Sequence, residues 1–129
     1  MPATDFLEYV RTVRAAVDEL SDSGDAVLVG LQVDQRSAVR GFIEGAVQFR
    51  DGSQLVFREF LDITRGEPRL MYAYHYQDTV QQLVFRYDNA MHRPELALPE
   101  HKHTPSGISL TPAPQLPALL DEILDLIGS

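Results

Sequence analysis

The sequence predicts an α+β fold: an antiparallel meander of four to five strands, with an N-terminal and a C-terminal helix packed on one sheet face. Three observations predict it. Apolar residues recur at helical spacing only near the two ends of the chain. Between them, apolar positions alternate with period two, and turn residues separate the runs. Turn signals such as Asp51-Gly52 join the runs as hairpins, which makes the sheet an antiparallel meander.

At the N-terminal end, Phe6, Tyr9, Val10, Val13, Val17 and Leu20 form one stripe. Thr4 or Asp5 can cap its start, and Ser21-Asp22-Ser23-Gly24 ends it. Val27, Val29, Leu31 and Val33 alternate on a first strand, and Val39, Gly41, Ile43, Gly45, Val47 and Phe49 on a second. Asp51-Gly52 is a hairpin turn. Leu55, Phe57, Glu59 and Leu61 mark a third strand, which leaves Glu59 on an apolar face. There it sits at the sheet margin or bonds a tyrosine hydroxyl, the commoner fates of such a carboxylate, or else acts as a general base with a raised pKa. Leu70 to Gln77 and Gln82 to Asp88 form the last hairpin. A turn centred on Thr79-Val80 pairs Tyr72, Tyr74 and Tyr76 with Tyr87, Phe85 and Leu83, an aromatic face suited to packing on a helix. Ala73, His75 and Gln77 oppose Arg86, Val84 and Gln82 on a more polar face. From Asn89 to Pro114 periodicity is lost, and the stretch reads as a long irregular connection. Leu116, Leu119, Leu120, Ile123, Leu124 and Ile127 form the closing helix, with Pro117 in its first turn and Gly128 at its end.

The 129 residues suit one domain, spanning 1–129. With 19 acidic against 11 basic residues, the formal charge is −8, which disfavours a protein that coats nucleic acid through basic charge. There is no cysteine, which excludes disulfides and thiolate metal sites and fits a cytoplasmic location. No apolar run is long enough for a membrane span, and the acidic N-terminus does not read as a signal peptide.

The reactive side chains cluster. All four histidines fall between His75 and His103, interleaved with Arg86, Tyr87 and Asp88. Histidine is the side chain that ordinarily titrates near neutrality, so clustering points to proton transfer or metal binding. Metal-free RNA cleavage by the ribose 2′-hydroxyl needs a base, an acid and a cation for the phosphate. His75, Arg86, Tyr87, Asp88, His92, His101 and His103 are the candidates for that chemistry, with no cofactor. As an alternative, His101 and His103, completed by His92 or by Glu100, could ligate a metal for a hydrolase. A third reading is a non-enzymatic binding module that receives a protein partner on its open sheet face. The first-strand edge could also support a homodimer.

Tyr74-His75-Tyr76-Gln77-Asp78, Phe85-Arg86-Tyr87-Asp88-Asn89-Ala90, His92-Arg93-Pro94-Glu95-Leu96 and His101-Lys102-His103, in that order, resemble the TumE family of bacterial and archaeal proteins. The resemblance extends to Gly41-Phe42, Asp51-Gly52-Ser53 and the closing helix. It implies a small cytoplasmic toxin of a two-gene toxin–antitoxin system, neutralised by an antitoxin encoded nearby. RNA is the candidate target by analogy with other small toxins. The resemblance also leads one to expect a glycine in the turn Asp78-Thr79-Val80-Gln81-Gln82, and this chain has none.

Overall fold

The computed structural model describes residues 3–89 and 100–128. Helix α1 (Phe6–Asp22) precedes strands β1 (Ala26–Gln35), β2 (Arg40–Phe49), β3 (Gln54–Asp62), β4 (Arg69–Gln77), β5 (Leu83–Asp88), β6 (His101–Thr104) and β7 (Gly107–Ser109), and helix α2 (Leu116–Ile127) closes the chain. The strands form one antiparallel sheet in sequence order, β1 to β7. The α+β reading holds, but the sheet has seven strands rather than four to five. The extra hairpin, β6–β7, comes from the stretch read as irregular. Its strands are only four and three residues long, too short to show a period. Each is recognisable only by what it pairs with.

Both helices form as their stripes dictate. Asp5 accepts the Glu8 backbone N–H at 2.8 Å, satisfying one of the donors left free at a helix start. Phe6, Val10, Val13 and Val17 are buried against the sheet, as are Leu116, Leu119, Leu120 and Ile123 of α2. The facing layer is Ile43, Val47, Leu55, Phe57, Leu61, Tyr72, Tyr74, Tyr76, Phe85 and Tyr87. Gly41 lies directly under the Phe6 ring, where any Cβ would collide with it. The tyrosine stripe is therefore core.

Two register details depart from the predicted phase and pairing. A bulge between Leu28 and Gly30 changes the phase of β1. Leu28 and Leu31 pack against the core, while Val27 and Val29 stay exposed rather than sharing the face of Leu31. In the β4–β5 hairpin, Asp78 N–H bonds the Gln82 carbonyl, and a second bulge lies between Tyr76 and Gln77. Together these slide the pairing by two residues from the predicted register. Tyr74 faces Tyr87, Tyr76 faces Phe85, and His75 faces Arg86 rather than Val84. A slip of two keeps every side chain on its predicted face. Gln81 adopts φ 65° in that turn, the left-handed conformation a glycine would take without strain. The Asp78 carboxylate steadies the turn by accepting the Val80 and Gln82 N–H groups, each at 3.0 Å.

Candidate functional site

The sheet has one face covered by helices and one open. Strand register brings the reactive side chains together on the open face. His75 pairs with Arg86, and Arg86 pairs with His103, so the three form a row across β4, β5 and β6. Asp88 pairs with Ala73 and His101 to form the next row. Adjacent strands lie about 4.8 Å apart, which sets His75 and His103 on either side of a central guanidinium.

The contacts follow from that placement. The Arg86 Nη1 donates to His75 Nδ1 at 3.4 Å, and its Nε donates to the Asp88 carboxylate at 3.2 Å. A guanidinium can only donate, so Nδ1 carries the lone pair of the His75 ring. Burial, followed by the positive charge of Arg86, pushes the His75 pKa below its ordinary 6.5, against an opposing hydrogen bond with Gln77. His75 is thus held neutral at pH 7. Asp88 is buried, and its oxygens lie 3.8 Å from His101 Nδ1 and 3.6 Å from His103 Nε2. The carboxylate lies between the two rings and is itself held by Arg86. Next to this cluster is a cavity of about 190 Å³, lined by Phe42, Arg58, Phe60, Met71 and Ala73 together with Arg86 and Asp88.

Of the residues proposed from sequence, His75, Arg86, Asp88, His101 and His103 converge. Tyr87 does not: its side chain lies on the helix-covered face, donates to Glu122 at 3.0 Å, and sits under the Lys102 ammonium. His92 lies outside the described residues. Glu100, the substitute ligand, instead accepts the Tyr72 hydroxyl at 2.7 Å. The apolar floor made by Phe42, Phe60 and Met71 was missed. Its signal was apolar residues in both phases of β2 to β4, of which only the core phase was read.

A family model described as Toxin TumE matches residues 14–129. The chain belongs to the TumE toxin family. The match spans every strand and most of both helices, so the row on the open face lies wholly within the TumE region. No curated protein and no solved structure matches the chain. Among the described residues, no helix of this TumE-family protein is long and apolar enough to cross a membrane.

Glu59 is set apart from the open face. It is fully buried and accepts the hydroxyls of Tyr9, at 2.8 Å, and Tyr74. Burial raises its pKa despite those bonds. The tyrosine partnership is present, and so is the raised pKa. Between the ordinary value of 4.5 and the raised folded value, the folded chain holds a proton that the unfolded chain releases. This group's contribution to stability therefore falls as pH rises through that window. Glu59→Gln should gain on the parent chain between pH 4 and pH 7, read from denaturant midpoints at the two pH values. A gap that does not change with pH would contradict the shift.

Proposed function

We propose that this chain is the toxin of a two-gene pair and acts on RNA as a metal-independent endoribonuclease, silenced by a cognate antitoxin protein encoded beside it. The observation that carries the reading is the row His75–Arg86–His103. A phosphate drawn over Arg86 would have an imidazole on each side. As Arg86 turns toward the phosphate it releases His75 Nδ1, whose lone pair can accept the 2′-hydroxyl proton. The oxyanion attacks the phosphorus, and the P–O5′ bond breaks. His103 in its protonated form gives its proton to the departing oxygen, oriented by Asp88. Arg86 stabilises charge on the non-bridging oxygens, and His101 supports Asp88 from the next row. The products are a 2′,3′-cyclic phosphate and a 5′-hydroxyl.

The charge of −8 is compatible with this reading because it is unevenly spread. The two helices hold seven acidic residues against two arginines and lie on the opposite side of the sheet. Arg58 and Arg86 stand on the open face beside the cavity, whose apolar floor is suited to a nucleobase. Incubation of purified protein with single-stranded RNA in EDTA tests the proposal. Cleavage with cyclic-phosphate ends is expected. Intact RNA with and without divalent metal would overturn the catalytic reading.

A further inference from the structure

We propose that Asp88, His101 and His103 form a three-ligand site for a late first-row divalent cation, zinc foremost. One ligand atom from each residue lies within 4.8 Å of the other two. A tetrahedral zinc with ligands at about 2.0–2.1 Å needs them about 3.3–3.4 Å apart. The 3.8 Å from His101 Nδ1 to Asp88 Oδ1 is within a small rotamer adjustment of that, and His103 Nε2 stands 3.6 Å from the other oxygen, Oδ2, of the same carboxylate. The backbone already supplies the rest. Asp88 and His101 are a register pair on β5 and β6, and His103 stands two residues further along the same face of β6. A sheet holds such ligands more firmly than a loop would.

The donor set also discriminates among ions. Two imidazoles and one carboxylate favour zinc, iron or manganese over calcium or magnesium. Arg86 donates to Asp88 Oδ2, leaving Oδ1 for the metal and fixing the carboxylate as outer partners of metal ligands commonly do. The histidines are only half-buried, so a fourth position opens to solvent. Binding requires nothing of the RNA reading. One consequence rests on it: zinc would engage His103, remove the general acid and inhibit cleavage.

Titration calorimetry of the untagged full chain with Zn²⁺ alone, and Co²⁺ absorption spectra, test the proposal. One ion per chain is expected, with visible cobalt bands of a low-coordinate site. Asp88→Asn, His101→Gln and His103→Gln should each weaken binding at least about 10-fold. Ring-nitrogen NMR of the parent chain provides a readout that needs no variant, with zinc shifting the His101 and His103 signals while His75 stays in place. Absence of stoichiometric binding, or binding that survives all three substitutions, would overturn the site. If zinc binds and RNA stays intact throughout, the ribonuclease reading fails while the metal site stands. If RNA is cleaved and zinc does not bind, the reverse holds.

Discussion

His75→Ala should lower RNA cleavage by about 10²–10⁴-fold, the range a positioned general base contributes. Its fold should survive, with stability changed by no more than about 1 kcal/mol, because the ring is half-buried on the open face and leaves no core cavity. Loss of rate alone would not separate a base from a residue that merely shapes the site, and the pH profile does. Burial and then the Arg86 charge depress the His75 pKa below 6.5, so the acidic limb of the cleavage profile should fall below pH 6.5. Arg86→Gln removes the charge and leaves the burial, so the limb should move toward higher pH while the maximal rate drops. A limb that stays fixed in Arg86→Gln would exclude His75 as the titrating base.

Arg69→Met should destabilise the fold by about 2–5 kcal/mol, because each buried acceptor left without its donor costs about 1–3 kcal/mol. The Arg69 side chain is 4% exposed and donates to the carbonyls of Ala113 and Pro114, both at 2.9 Å, to the Tyr74 hydroxyl at 3.2 Å and to Glu67 at 2.7 Å. Its guanidinium also lies over the Tyr72 ring. Methionine fills similar volume but leaves the Ala113 and Pro114 carbonyls without a donor. Those carbonyls fix the approach to α2, so the loss should loosen the C-terminal helix first. Against a total of about 5–15 kcal/mol for a typical domain, the effect is large. Arg36→Met offers the contrast. Its ion pair with Asp34 is exposed on both sides, 63% and 55%, and its removal should cost about 0–1 kcal/mol. Denaturant midpoints of the two variants should differ widely. Equal midpoints would show that the Arg69 network contributes little.

Both helices, the positions of the first five strands along the chain and the sorting of β4 and β5 into a core face and an open face were legible in the sequence. These depend on local periodicity, and period two survives a register slip of two, so His75 and Arg86 were placed on one face even from the wrong pairing. The resemblance to TumE toxins was legible too, because it rests on ordered short motifs. Three things required the tertiary structure. The phase of β1 changes at a bulge, which no alternation of apolar residues encodes. Strands β6 and β7 exist through pairing with β5 and with each other, and their seven residues carry no period of their own. The site follows from that pairing. His103 comes beside Arg86 and His101 beside Asp88 because backbone hydrogen bonds align β6 with β5, and hydrogen bonds between strands distant in sequence leave no spacing to read. The same geometry turned Tyr87 away to the helices, since neighbours along a strand point to opposite faces. The sequence determined which residues are reactive and which faces are apolar, and the cross-strand register alone decided which reactive groups meet.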